Sequence, residues 1–119
     1  METKDLIRYF LPEEIIDNFE IVDIKEIECD SEAELHIYLD EKFIYPPEHA
    51  TKNLESKGFL KAVQISDFPI RDKRVLLLVR RRKWKDILTG KIYTRFFDLK
   101  HKGTNYTKEF AAFLKENLR

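Results

Sequence analysis

The chain has 119 residues, of which 43% are hydrophobic and 13% aromatic. This length and composition predict one packed domain, leave no room for a second sizeable core and exclude general disorder. The formal net charge is zero, from 22 basic and 22 acidic residues, which at first argues against a highly charged partner.

The two halves of the chain carry opposite charges. Residues 1–55 contain five basic and sixteen acidic side chains, and residues 56–119 contain the remaining seventeen basic and six acidic ones, so the halves have net charges of −11 and +11. A charge asymmetry of this kind indicates nucleic-acid or partner binding. We therefore treat residues 1–119 as a single domain with an acidic and a basic half.

Cysteine content and hydropathy predict where the protein resides. Cys29 is the only cysteine, so an intramolecular disulfide is excluded and a cytoplasmic location is expected. The N-terminus lacks an apolar signal core, and the longest uncharged apolar run, Val75–Val79, is too short to span a bilayer. We expect no membrane partner.

The acidic half predicts helix followed by two strands. Residues 3–18 are expected to form a kinked helix or two short helices, because Pro12 suits a first helical position. Residues 19–27 and 35–39 alternate in hydrophobicity, so they predict an antiparallel pair of strands joined by a turn at 29–31. Residues 43–54 then form a connector, with a helical turn after Pro47.

The basic half predicts three more strands and a final helix. We expect strands from Gly58 through Ile65, over Arg74–Lys85 and over Ile92–Leu99, with turns across residues 67–73 and at Thr89-Gly90. Thr107 is the expected N-cap of a helix with one apolar face, made of Phe110, Phe113, Leu114 and Leu118. The order of elements predicts an α+β fold: an N-terminal helix or helices, an antiparallel β-sheet with a long basic hairpin, and a C-terminal amphipathic helix.

A run of basic residues follows the most apolar strand. After Val75–Val79 both faces of the strand become basic together, and a strand cannot bury that many charges. We therefore expect a hairpin arm, roughly residues 80–95, that projects about 20 Å into solvent. The candidate DNA-binding residues are Arg80, Arg81, Arg82, Lys83, Trp84, Lys85, Lys91 and Arg95.

This arm has two functional interpretations and a structural one. A two-stranded ribbon fits the major groove of duplex DNA, where arginines contact phosphates or guanine edges. Trp84, Tyr93 and Phe96 could instead stack on unpaired bases. The structural alternative is a solvated edge strand, which cationic side chains protect from aggregation. The acidic half likewise forms either a solvated face or a surface that docks onto the basic half, within one molecule or between copies.

Signals for catalysis or for a bound cofactor are weak. His36, His49 and His101 are scattered, and together with Cys29 they show no metal-ligand spacing. The chain has no glycine-rich phosphate loop and no serine in a nucleophile-elbow context. We therefore predict a protein that is not itself an enzyme and binds neither metal nor cofactor.

Several segments of the basic half resemble a known family. Residues 56–59, 67–70 and 75–84 resemble the "DLP, short turn, apolar strand, Arg-Arg-aromatic" hairpin in the N-terminal region of bacterial insertion-sequence transposases. Residues 107–114 resemble the end of the same region. More loosely, the resemblance extends to residues 11–13 and 19–23.

The resemblance implies a zinc-ribbon-like module that precedes a helix-turn-helix and an acidic-triad catalytic domain. In one branch of these elements the region is encoded separately from the catalytic part, and the length of this chain suits that arrangement. In ribbon-bearing relatives a cysteine pair follows the basic-aromatic strand. Here residues 85–90 contain neither Cys nor His, so the ribbon would lack its zinc.

Two functional hypotheses follow. The first is a non-catalytic, DNA-binding accessory region of a transposase, whose partners are duplex element ends and the separately encoded catalytic chain. The second is a protein-interaction module that self-associates as a homodimer or docks to a catalytic subunit through its acidic and basic halves.

Overall fold

The computed structural model describes residues 3–30 and 32–117. Three α-helices and seven strands follow one another along the chain: α1 Thr3–Ile7, α2 Glu13–Asn18, β1 Phe19–Cys29, β2 Glu32–Glu41, β3 Leu54–Phe59, β4 Val63–Ile70, β5 Lys73–Arg80, β6 Arg82–Asp86, β7 Ile92–Tyr93 and α3 Lys108–Asn117. Short 3-10 turns lie at Arg8–Phe10 and Pro47–His49. The α+β class is confirmed, as are the two short N-terminal helices and the helical turn after Pro47.

The strands form two sheets. The first has the order β1-β2-β5-β4, and the second has the order β3-β6-β7. The expected antiparallel β1–β2 hairpin is present, with Phe19 opposite Glu41 and Cys29 opposite Glu32. Ser31, which we assigned to the turn, lies outside the described residues.

One pairing departs from the antiparallel arrangement that we expected throughout. β2 and β5 are parallel, with Glu34 opposite Arg74 and Asp40 opposite Arg80. Parallel strands need a long crossover, and here the connector, β3 and β4 supply it. This register places acidic positions of β2 beside basic positions of β5 at both ends of the pairing.

The predicted strand Arg74–Lys85 is wrong as a continuous element. The chain leaves the first sheet after Arg80 and enters the second sheet at Arg82. The carbonyl oxygen of Arg81, between them, accepts a hydrogen bond from the backbone N–H of Leu60 at 2.8 Å. The strand changes sheets where its apolar run ends, because Val75–Val79 can be covered on both faces and the arginines beyond cannot.

The strand that we expected from Gly58 through Ile65 is also divided, at Leu60, which is hydrogen-bonded to Arg81 where the other strand divides. β3 ends at Phe59 in the second sheet, and β4 begins at Val63 in the first. Gly58 has φ +80°, at an irregularity in the β3–β6 register between Ser56 and Phe59, and this conformation favours glycine. The segment β3–β4 and the segment β5–β6 thus run antiparallel to each other, and both pass between the first sheet and the second.

The turn that we predicted across residues 67–73 is confined to Arg71 and Asp72. β4 continues through Asp67–Ile70, and Arg71 has φ +59°. The predicted strand Ile92–Leu99 is also shorter than expected, because β7 ends at Tyr93. Residues 94–99 run over the first sheet without strand pairing, since Phe97 and Leu99 pack onto its core.

One apolar cluster holds α2 against the first sheet. Its buried members are Leu11, Ile15, Phe19, Ile37, Leu39, Ile65, Val75, Leu77 and Val79. The edge of Phe19 meets the ring of Phe97, with the two centroids 5.0 Å apart. Burying side chains of this size contributes about 1.5–3 kcal/mol each. Trp84 lies apart from this cluster, in the second sheet.

The C-terminal helix begins where Thr107 joins it to β4. The Thr107 hydroxyl donates to Asp67 Oδ1 at 2.7 Å and accepts from the backbone N–H of Phe110 at 3.4 Å. The predicted N-cap is therefore confirmed. Phe68 contacts the rings of Phe110 and Phe113, which docks one face of the helix on β4. Leu118, which we also placed on that face, lies outside the described residues.

Candidate nucleic-acid interface

The basic run occupies the middle strand of the second sheet. β6 lies between β3 and β7, with Trp84 opposite both Ser56 and Tyr93. The connector that follows β2 covers one face of this sheet: the rings of Phe43 and Tyr45 lie 5.5 and 5.7 Å from that of Trp84. Trp84 is consequently fully buried, with 0% of its surface exposed. Its position is that of an anchor between sheet and connector.

The expected arm of about 20 Å is therefore wrong. Neighbouring strands flank β6 on both sides, so only the turn at residues 87–91 extends beyond the sheet. Asp86 orders this turn, since its Oδ1 accepts from the backbone N–H of Leu88 at 2.9 Å and its carbonyl accepts from that of Gly90. Leu88 stands at the tip with 79% of its surface exposed.

Arg80 and Arg82 are engaged with the acidic half. Arg80 donates from Nε and Nη2 to the two oxygens of Asp40, at 2.7 and 2.6 Å. Arg82 donates from Nε to the carbonyl of Glu41 at 2.9 Å, and from Nη1 to the Ser56 hydroxyl at 3.0 Å. Both guanidinium groups lie on the ring of Phe59, 4.4 and 4.8 Å from its centroid. The side chains of Arg80, at the end of β5, and Arg82, at the start of β6, therefore lie on the same side of the chain, over Phe59.

A buried carboxyl group supports this arrangement. Glu41 Oε1 accepts a hydrogen bond from the backbone N–H of Arg82 at 3.1 Å, and the residue is fully buried. Burial raises the pKa of Glu41 above its ordinary value, and the hydrogen bond from Arg82 offsets this only in part. Glu41 thus links β2 to the start of β6 at a cost in desolvation.

Arg95 is engaged in a similar way. Its Nε lies 3.4 Å from Glu48 Oε1, and its guanidinium group lies 4.9 Å from the centroid of Phe97. The side chain is half-buried between the connector and the core. Arg95 therefore stabilises the segment that follows β7 rather than facing solvent.

Arg81, Lys83 and Lys85 form a second group, which we call the cationic face. Lys83 and Lys85 alternate with Arg82 and Trp84 along β6, so they point to the opposite side of that strand. Arg81 precedes β6 and lies with Val79 of β5 in the lining of one groove. In the parts of the chain that the structure describes, no carboxylate lies within ion-pair distance of any of the three. Glu55, across from Lys85, forms its ion pair with Lys57 at 3.0 Å.

Lys91 lies in the turn at the end of this sheet. Its side chain is exposed, and its ammonium group lies 5.3 Å from the centroid of Tyr93. The eight predicted site residues thus fall into two sets. Arg80, Arg82, Trp84 and Arg95 are engaged within the fold, and Arg81, Lys83, Lys85 and Lys91 lie without a carboxylate partner among residues 3–30 and 32–117.

Part of the acidic half docks onto the basic half within one molecule. Among the described residues five ion pairs cross from one half to the other: the local pair Glu55–Lys57 and four pairs between distant positions, Glu26–Lys73, Glu34–Arg74, Asp40–Arg80 and Glu48–Arg95. Other acidic side chains, including those of Glu20, Asp23 and Glu28 on β1, are exposed. Some acidic residues therefore dock onto the basic half of the same molecule, and others form a solvated face, so each of the two expected arrangements applies to part of the acidic half.

A groove opens beside the cationic face at the edge of the core. It has a volume of about 220 Å³ and lies between the first sheet and residues 96–100, with Arg81 and Lys100 at its rim. Phe96 lines it with 82% of its surface exposed, and Phe97, which also lines it, is partly buried against the core. Lys100 was missed by the sequence reasoning, because nothing in the pattern places it beside a residue nineteen positions earlier.

The arrangement of side chains and the lengths of the helices also bear on metal ions and membranes. Within residues 3–30 and 32–117, no three side chains among His, Cys, Asp and Glu come close enough together to hold a metal ion. No helix in the same residues is long and apolar enough to cross a membrane.

Known proteins give no information about this interface, so its description rests on the geometry of the chain alone. No family model, curated protein or solved structure matches this chain. The resemblance to the N-terminal region of insertion-sequence transposases therefore remains a prediction from the sequence.

Proposed function

We propose that this chain is a non-catalytic DNA-binding module that contacts phosphates through the cationic face and Lys91. One observation carries the proposal: carboxylates engage Arg80 and Arg95, and the Glu41 carbonyl and the Ser56 hydroxyl engage Arg82, but Arg81, Lys83 and Lys85 have no carboxylate partner among the described residues. An unmatched row of cations attracts a polyanion, and phosphate contacts supply most of the sequence-independent affinity for DNA.

The three charges of the cationic face are spaced regularly, which suits contact with a polymer of phosphates such as DNA. Residues two positions apart in an extended chain lie about 7 Å from each other, so Arg81, just before β6, and Lys83 and Lys85 within it place their charges in a row. The three residues are half-buried, as expected for long basic side chains that cover apolar surface with their stems and keep their charged ends in water. A line of charges on a rigid sheet loses less conformational freedom on binding than mobile lysines do.

The test is a charge-matched pair of triple variants. Arg81→Ala, Lys83→Ala and Lys85→Ala together should weaken the binding of a duplex oligonucleotide at low salt by at least tenfold. The control replaces Arg74, Lys25 and Lys115 by alanine, which removes the same number of arginines and lysines from exposed positions elsewhere. Equal losses in the two variants would show that net charge alone acts, and would contradict a defined interface.

The biological context of the proposal rests on the transposase resemblance. In that context the DNA is the duplex end of an insertion sequence in the cytoplasm, and catalysis belongs to a separately encoded acidic-triad chain. The adjoining reading frame tests this directly. A frame that encodes such a catalytic domain supports the context, and an adjoining frame of unrelated chemistry contradicts it without affecting DNA binding itself.

A second candidate function, protein interaction, is favoured by the surface on the acidic side. β1 ends the order of the first sheet and carries exposed carboxylates. Near it in the chain, Leu6, Tyr9 and Phe10 are exposed apolar side chains. This acidic edge could pair with the cationic face of another copy. Light scattering at low and high salt tests this candidate: a salt-sensitive dimer supports it, and a monomer at every salt concentration contradicts the homotypic form.

A further inference from the structure

We infer that the groove beside Phe96 binds one unpaired nucleobase of a DNA strand that lies on the cationic face. The inference rests on the proposed DNA binding and adds to it the kind of DNA that is preferred. It assigns the base-binding role to Phe96, Arg81 and Lys100, of which only Arg81 belongs to the predicted phosphate contacts.

The walls of the groove suit a flat apolar ring. It is lined by the strand residues Val63, Ile65 and Val79 and by Phe96, Phe97 and Leu99. Phe96 is 82% exposed, whereas its neighbour Phe97 is partly buried against the core. An aromatic ring that is left in solvent at the mouth of an apolar groove offers a stacking surface, and every base has a face that can stack on it.

The charges at the rim select an anionic occupant. Arg81 and Lys100 both line the groove, and the residues that the structure describes place no carboxylate in an ion pair with either. Arg81 also begins the row that continues to Lys83 and Lys85. The occupant is therefore a polymer with an apolar ring and flanking phosphates rather than an isolated amphiphile, because the row of charges extends beyond the groove.

The strand must be unpaired at this point. In a duplex both faces of each base are covered by stacking, so a base reaches the groove only from a single strand, an overhang or a flipped position. Beyond the groove lies a wider depression of about 890 Å³, lined by residues 96–105 and Lys108, through which the strand can continue. The geometry thus predicts a preference for DNA with an unpaired segment.

The experiment compares three probes of about a dozen nucleotides: oligothymidylate, an abasic strand of the same length and a duplex. Fluorescence anisotropy measures their affinity for the wild type, Phe96→Ala and Phe96→Trp. The matched control is Phe10→Ala, which removes another exposed phenylalanine, 64% exposed, from the N-terminal turn. Both alanine variants should fold, because neither ring is buried.

Phe96→Ala should weaken oligothymidylate binding by roughly 5- to 150-fold, while Phe96→Trp and Phe10→Ala stay within about twofold of the wild type. The abasic strand and the duplex should bind all four proteins alike. An unchanged affinity of Phe96→Ala for oligothymidylate would overturn the inference and leave phosphate binding intact. Absence of binding to all three probes at low salt would overturn the proposed function together with it.

Discussion

The guanidinium group of Arg80 forms a two-pronged ion pair with the carboxylate of Asp40, through hydrogen bonds of 2.7 and 2.6 Å. The two residues face each other in the parallel pairing of β2 with β5. The hydrogen bond to Asp40 raises the pKa of Arg80 above its ordinary value, which reflects how well this carboxylate stabilises the guanidinium group. This pair joins the acidic half of the chain to the basic half at the C-terminal end of β5, where the chain leaves the first sheet.

Replacing Asp40 by asparagine should lower the free energy of unfolding by about 1 kcal/mol, since the paired geometry is lost and Arg80 is left without its anion. Urea denaturation measures the change. Glu26→Gln is the control, because its ion pair with Lys73 also joins the two halves but has a far more exposed carboxylate. A loss for Asp40→Asn no larger than that of the control would show that the Arg80–Asp40 pair has no special role.

Replacing Thr107 by valine should destabilise the fold by about 2 kcal/mol. The change removes the N-cap of α3 and leaves the buried Asp67 carboxyl without the hydroxyl that donates to it. Thr107→Ser keeps the hydroxyl and should lose much less. Thermal unfolding of the three proteins gives the comparison, and a valine variant as stable as the wild type would contradict the role of the two hydrogen bonds.

Glu41 should make the fold less stable as the pH rises. Because burial raises its pKa in the folded state, the carboxyl group binds a proton on folding between its ordinary pKa of 4.5 and the raised value. The free energy of unfolding therefore falls as the pH rises through that interval. Below the interval Glu41 is protonated in both states, and above it the penalty is constant.

Glu41→Gln removes this titration and keeps an oxygen to accept from the Arg82 backbone N–H. Its free energy of unfolding should depend less on pH above 4.5 than that of the wild type, and should equal or exceed the wild-type value at pH 7. Burial also raises the pKa of Asp67, with the same sign, so the difference between the two proteins isolates Glu41. A variant that is less stable at pH 7 would show that attraction to Arg82 and Arg95 outweighs desolvation.

Local patterns of the sequence predicted the local parts of the fold. The β1–β2 hairpin, the helical turn after Pro47 and the cap at Thr107 follow from alternation, proline and hydroxyl positions that lie within a few residues of one another. The division of two strands at Leu60 and Arg81 could not be predicted in this way. It depends on where two sheets meet, and that is decided by contacts between distant segments.

Contacts between distant segments also limit what the sequence predicts about the candidate site. The sequence locates the basic cluster, but it cannot say which cations are matched by carboxylates. Asp40 and Glu41 lie about forty positions before Arg80 and Arg82, and only the parallel β2–β5 register brings them together. Trp84 was a candidate for stacking, yet the connector covers it completely, whereas the exposed ring is that of Phe96.

The salt dependence of DNA affinity tests the central claim most directly. With Arg81, Lys83, Lys85 and Lys91 on phosphates, the logarithm of the association constant should fall against the logarithm of salt concentration with a slope of roughly −3 to −4. In the Arg81, Lys83, Lys85 triple alanine variant the slope should shrink to roughly −1. A slope that the triple variant leaves unchanged, or a wild type without affinity for DNA at low salt, would contradict the account.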